Sequence, residues 1–307
     1  MNAPLRVILF LLLPLVFFVG CQSETETDTS QGPQYGDQPI EPLKPLYRLA
    51  VHPLHNPSKL SEAYQPLIDY LNQQITDVHF ELEASRDYQV YEAKFRARDS
   101  EFLLPNPWQT LEAIKLGYHV IAMAGNAEDF KGLFIVRKDG GIKTPADLKG
   151  KVVSYPSRTA LAACIMPQYY LHLHGIDVNR DIENRYVGSQ ESSIMNAYLG
   201  QSAAGATWPP PWRLFQRDHP NEAAELTVAW ETPSLLNNSV MARDDVPASI
   251  RDSVRALILA LDTTPEGQAI LAGMETARFN AADDASYDAV RNYVAEFEKS
   301  VRPVEQK

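Results

Sequence analysis

Ser157, Arg158 and Thr159 follow Pro156 at the end of a β-prone run, residues 151–155, and precede a long helical pattern. That order brings two hydroxyls, a guanidinium and the unpaired N–H groups of a helix start to one point, a chemistry suited to an oxyanion. Ser157 is typed to cap the helix. Gln190, Glu191 and Ser192 head a second helix after a strand, with Gln190 and Ser192 as candidate ligand donors. Glu191 suits the helix dipole with or without a ligand. Asn106 and Trp108 follow a third strand end, where open α/β sheets place ligands, although Trp108 fits plain helix packing equally well. Tyr88 opens another helix and either walls a pocket or packs in the core. Trp208 and Trp212 flank Pro209, Pro210 and Pro211 in a rigid aromatic loop that lines a ligand or braces a hinge. Its first half is expected to lack regular secondary structure. Asn237 and Asn238 precede a strand and serve either a turn or a ligand.

These residues contain no nucleophile–base pair, so the chain reads as a binder, not an enzyme. His52 and His55 share a loop with no carboxylate or Cys near them in sequence, and His172 and His174 project to different helix faces. No metal set results, and no Gly-rich nucleotide loop or other cofactor signature is present. A net charge of −11 disfavours nucleic acid and anionic membrane surfaces as partners. It does not bear on a small anion held by a local field.

The elements that must position these groups begin after a leader. Arg6 and the apolar run 7–19 are too short for a spanning helix. Phe18, Val19, Gly20 and Cys21 resemble a bacterial lipoprotein cleavage site, with Cys21 as the lipid acceptor and residues 1–20 as signal peptide. Phe18 departs from the usual Leu, and an uncleaved anchor helix is the alternative. Gln22, not Asp, favours the outer membrane in a Gram-negative cell. Either way the folded part is expected outside the cytoplasm. Residues 21–45, rich in Ser, Thr, Glu, Gly and Pro, read as a flexible tether. Cys164, the only other cysteine, reads as a buried small hydrophobe. From residue 46 strands alternate with helices, which predicts an α/β domain with a largely parallel sheet. Pro167 inside a helical pattern predicts a kink or a fresh start there. Residues 302–307 read as a loose polar tail.

HNPSKLSEAYQPLIDYLNQQI, starting at His55, resembles the first helix of the phosphonate-binding type of solute-binding proteins. IKTPADLKGKVVSYP with MPQYYL, VGSQESSIMNAYLGQSAAGAT, TPEGQAIL and FNAADDASYDAVRNY resemble further blocks of that family, in order. The resemblance covers about residues 46–297. It implies a type II periplasmic-binding-protein fold: two lobes with mixed, mainly parallel sheets, joined by two crossovers, with the ligand between them. The lobes are expected at residues 46–138 with 239–301, and at 139–238. The implied activity is capture of a small oxyanion or polar organic acid, an anionic ligand with phosphonate or phosphate as the family default, by lobe closure for an ABC permease. A module reporting to a sensor kinase and a lipoprotein that has lost binding are the alternatives.

Departures from the family pattern bear on the ligand. A Ser-Thr-Ser-Gly run that holds phosphonate oxygens in the family corresponds here to Ala160, Leu161, Ala162 and Ala163. The family's His corresponds to Gln190, acidic residues to Ala204, Pro211 and Asn238, and a first-lobe Tyr to Pro105, while Tyr88 is kept. The resemblance therefore implies a pocket with aromatic walls and neutral hydrogen bonding. Ser157, Arg158 and Thr159 are expected to substitute in part for the missing hydroxyls.

Overall fold

The computed structural model describes residues 44–305. The expected signal peptide, Cys21, the expected tether up to residue 43, and residues 306–307 lie outside the described residues. Strands β1 (Leu46–Val51), β2 (His79–Glu83), β3 (Phe102–Leu104) and β4 (Tyr118–Ala124) alternate with helices α1 (Pro57–Gln74), α2 (Tyr88–Ala97) and α3 (Pro107–Ile114). The second lobe contains β5 (Leu133–Arg137), β6 (Val152–Tyr155), β7 (Glu183–Tyr186), β8 (Ala204–Thr207) and β9 (Leu226–Glu231), with α4 (Met166–Leu173), α5 (Gln190–Tyr198), α6 (Pro209–Asp218) and α7 (Pro220–Ala224). The chain returns through β10 (Ser239–Arg243), α8 (Ala248–Leu259), α9 (Pro265–Gly273), β11 (Phe279–Asn280) and α10 (Asp288–Ser300).

The strands form two sheets, ordered β11-β4-β10-β3-β1-β2 and β7-β6-β8-β5-β9. β10 runs antiparallel between β3 and β4, and β5 antiparallel between β8 and β9, so each crossover strand is inserted against the local direction. Residues 133–137, placed with the first lobe by sequence, thus belong to the second sheet. β5 is almost wholly buried, and an unbroken apolar run does not reveal which of two sheets it enters.

Local chemistry explains the elements that bear on the site. In α1, Leu60, Tyr64, Leu67, Ile68 and Leu71 recur on one face and are buried, and Asn56 caps the start by accepting from the Lys59 N–H at 3.0 Å. α5 lies directly on β8, because a Cβ at Gly205 would meet the Ser193 carbonyl at 2.2 Å. Ser193 Oγ ties them further, near both the Ser154 and Ala206 carbonyls, at 2.9 and 2.7 Å.

Three local expectations are revised. Pro209, Pro210 and Pro211 do not break structure; they form the first turn of α6, with Trp208 as N-cap. The first N–H groups of a helix have no intrahelical acceptor, so prolines there lose nothing. Ser157 does not cap the following helix. That helix begins as a π turn, Leu161–Ile165, with Ala160 at the N-cap, and α4 starts afresh at Met166 with Pro167 in its first turn. The tail is not loose throughout: Arg302 and Val304 are buried. Cys164 is fully buried, and burial pushes its thiol up to about 11, which keeps it a protonated core group.

Candidate functional site

The C-terminal ends of β1, β3 and β8 face one another across the lobes, and the segments leaving them carry the polar groups. Tyr88, Asn106, Gln190, Trp208 and Asn238 line one cavity there, with His52, Phe130 and residues 160–163. The cavity is about 10 Å³ with the lobes closed, room for a single water, so a larger ligand enters only as the lining side chains give way or the lobes part. Among the described residues that line it there is no Lys, Arg, Asp or Glu.

Each polar lining group is held from behind. Asn106 caps α3, its Oδ1 accepting from the Trp108 and Gln109 N–H groups at 3.0 and 3.1 Å, and Gln109 Oε1 accepts from the Asn106 N–H. That capping box frees Asn106 Nδ2 to donate across the lobes to the Thr159 carbonyl at 3.1 Å. Gln190 Oε1 accepts from Thr207 Oγ1 at 2.9 Å, which turns its Nε2 toward Tyr88 Oη at 3.2 Å. Trp208 packs against Phe130 with ring centroids 5.6 Å apart. His52 Nδ1 lies 3.0 Å from the Leu104 carbonyl, so it carries the proton and leaves Nε2 as an acceptor. Burial lowers His52 to about 4, partly offset by that carbonyl, so the ring is neutral at pH 7.

Asn238 differs from the others. Its Oδ1 is buried and has no hydrogen-bond partner, while its N–H donates to Asn237 Oδ1 at 2.8 Å. An orphan acceptor at a cavity wall is a cost unless a donor meets it there.

Opposite these side chains is the π turn. The Ile165 N–H reaches back to the Ala160 carbonyl at 3.1 Å, so the N–H groups of residues 161–164 lie ahead of the first bond of the turn. Residues 160–163 line the cavity, so this turn brings backbone to it without any formal charge.

The remaining residues predicted from sequence lie elsewhere. Arg158 turns away from the cleft: its guanidinium stacks on Tyr186 at 5.3 Å and lines a separate cavity of about 1200 Å³ beside α3 and α10. Tyr186 offers that side a cation–π face, whereas the cleft side is filled by apolar Ala and Leu. Thr159 is buried and engaged, its Oγ1 donating to Glu92 Oε1 at 2.5 Å. Ser157 Oγ pairs with Thr159 Oγ1 at 3.0 Å, and Ser192 Oγ with Ser189 Oγ at 2.9 Å, at the head of α5. His52, expected at most as a metal ligand, and Phe130, not among the expected site residues, both line the cavity. The signal for His52 was its place just past a strand end.

Cross-lobe bonds are numerous around the cavity. Beside those of Asn106, Thr159 and Gln190, Lys59 meets Asp218 at 2.8 Å and Glu191 at 3.4 Å. The lobes are thus closed on the site.

Two α/β lobes, each with one antiparallel crossover strand, β5 or β10, and closed on a polar cavity, define a type II periplasmic binding protein. Residues 49–287 match the family described as ABC transporter, phosphonate, periplasmic substrate-binding protein, and the chain belongs to that family. It is a transport receptor and not an enzyme. A binding-protein component of an ABC phosphonate transporter from Pseudomonas aeruginosa is similar in structure, with TM-score 0.77, 16% identity, and 84% of this chain and 88% of that chain covered. PhnD1 from Prochlorococcus marinus, in complex with methylphosphonate, has TM-score 0.75 and 20% identity, covering 83% and 98%. The alkanesulfonate-binding protein SsuA from Xanthomonas axonopodis pv. citri, bound to MOPS, has TM-score 0.55 and 14% identity, covering 85% and 86%.

Proposed function

We propose that the chain is the extracytoplasmic receptor of an ABC-type uptake system, lipid-anchored at Cys21, and that it binds a small protonated phosphorus oxyanion such as methylphosphonate or hydrogen phosphate. The observation that carries the reading is that Asn238, whose Oδ1 has no hydrogen-bond partner, lines the cavity. With His52 Nε2 it supplies acceptors that call for an O–H on the ligand. Tyr88, Asn106 and the N–H groups of the π turn supply donors for the oxygens, and Phe130 and Trp208 supply an apolar wall for a small substituent. No carboxylate lines the cavity to meet an amino group, which disfavours aminoalkylphosphonates.

Calorimetric titration of the soluble domain tests this. Methylphosphonate and phosphate are expected to bind. Sulfate, which has no O–H at neutral pH, is expected to bind about a hundredfold more weakly or worse, because the orphan acceptor stays unmet. 2-Aminoethylphosphonate is expected to bind more weakly than methylphosphonate. Equal affinity for sulfate, or no binding of either phosphorus oxyanion, overturns the reading. Permease dependence is tested by uptake of methylphosphonate in cells with and without the partner permease.

A further inference from the structure

α10 ends at Ser300, and the five residues after it, 301–305, cross from the first lobe to the second. α10 itself packs on α3 and against the buried face of the first sheet, through Val290, Val294 and Phe297. Arg302 then enters the second lobe and is buried there. Its Nε donates to Gln168 Oε1 at 2.7 Å and its Nη2 to the Arg158 carbonyl at 3.1 Å. Its Nη1 turns back to the carbonyls of Pro303 and Val304 at 2.8 and 3.2 Å, and the guanidinium carbon lies 5.2 Å from the Phe297 ring centroid. Around it, Asn179 Nδ2 donates to the Val301 carbonyl at 2.9 Å, and the Val304 N–H donates to Glu298 at 3.1 Å.

The two second-lobe groups that Arg302 holds are both tied to the ligand seat. Arg158 leads directly into residues 160–163, which line the cleft. Gln168 lies on α4, which continues the π turn, and its Nε2 donates to Asn184 Oδ1 at 2.9 Å. A guanidinium fork that satisfies several acceptors at once fixes geometry in a way no single-point donor can. The family match ends at residue 287, before the strap.

We propose that Arg302 is a positioning residue of the cleft: it clamps the C-terminal strap onto the back of the ligand seat and thereby biases the lobes toward the closed arrangement. The assignment of residues 160–163 as the seat rests on the proposed function; the clamp between lobes does not. A ligand that binds only the closed form loses apparent affinity in proportion to the fraction of closed protein. Loss of the fork is expected to weaken methylphosphonate binding roughly tenfold to a hundredfold.

The test uses Arg302→Met, which keeps the apolar stem, and Arg302→Lys, which keeps the charge and is the milder change. Spin labels at Glu62→Cys in α1 and Leu173→Cys in α4, both exposed positions, report lobe separation in the ligand-free soluble domain, residues 44–307. Both variants are expected to show longer interlobe distances than the parent, with Arg302→Met the more open, and weaker methylphosphonate binding in the same order. A purely structural role lowers the melting temperature of the variants but leaves the distance distribution of the folded protein unmoved. Unchanged distances in both variants overturn the proposal, whatever happens to melting temperature. If the parent binds no phosphorus oxyanion, the proposed function fails, and the distances still decide the role of Arg302. Should Arg302→Met fail to fold, the Arg302→Lys distances decide alone.

Discussion

Tyr88 Oη and Gln190 Nε2, 102 positions apart in sequence, meet at 3.2 Å across the two lobes and form one wall of the cavity. One residue opens α2 in the first lobe, and the other opens α5 in the second. The same groups that bridge the lobes thus also line the cavity. Burial pushes the Tyr88 hydroxyl well above its ordinary range, with the Gln190 bond opposing in part, so it stays protonated.

Tyr88→Phe removes the acceptor for Gln190 Nε2 while keeping the ring. We expect methylphosphonate affinity to fall about tenfold, the worth of one hydrogen bond in a dry site. Titration calorimetry reads it. An affinity equal to the parent's would separate this pair from ligand closure.

His52 and His55 set the acid limb of stability. Burial lowers His52 to about 4, and burial with the nearby His52, Lys59 and Arg217 lowers His55 to about 3. The unfolded chain takes up these protons near pH 6.5, so their contribution is present above that pH and is lost as pH falls toward 4. For His52 alone the loss is about 3 kcal/mol across that window. His52→Asn, which retains a donor toward the Leu104 carbonyl, is expected to flatten the fall of the urea midpoint between neutral and acid pH.

Glu92 acts with the opposite sign. Burial raises its carboxyl above the ordinary carboxylate range, against the bonds from Thr159 and Gln109 that favour the charged form. Its contribution is present at acid pH and is lost as pH rises through the raised value. Glu92→Gln keeps an oxygen for Thr159 Oγ1 and does not ionise. Its stability relative to the parent should grow as pH increases, read from urea unfolding at several pH values. A difference that is flat with pH would mean Glu92 does not titrate differently in the fold.

Gly205→Ala tests how α5 is seated. The added Cβ would lie 2.2 Å from the Ser193 carbonyl, and backbone cannot swing aside as a side-chain end can. We expect a loss of about 1–3 kcal/mol from overpacking, with weakened ligand binding because α5 carries Gln190. A melting temperature equal to the parent's would show that α5 shifts freely on β8.

Much of the fold was legible because its signals are local. Apolar residues at helical spacing in α1 marked that helix, and Pro167 marked a kink or restart in the helical pattern that became α4; the caps at Asn56 and Asn106 were not read from the sequence. Ordered sequence blocks then pointed to the family, which the match over residues 49–287 shows. Other features were beyond local reading. Three prolines in a row look like a break until the chain places them at N1 to N3 of α6.

The sequence by itself determined the alternation of strands and helices and the strand-end segments that carry polar groups. It did so because propensity, capping and periodicity act over a few residues. Only the tertiary structure decided that β5 joins the second sheet, that Arg158 faces Tyr186 instead of the cleft, that His52 lines the cavity, and that Arg302 is buried 134 positions from Gln168. Each of those outcomes depends on what lies across a lobe boundary. A side chain's direction is set by the partner that desolvates and satisfies it, and that partner is distant in the chain.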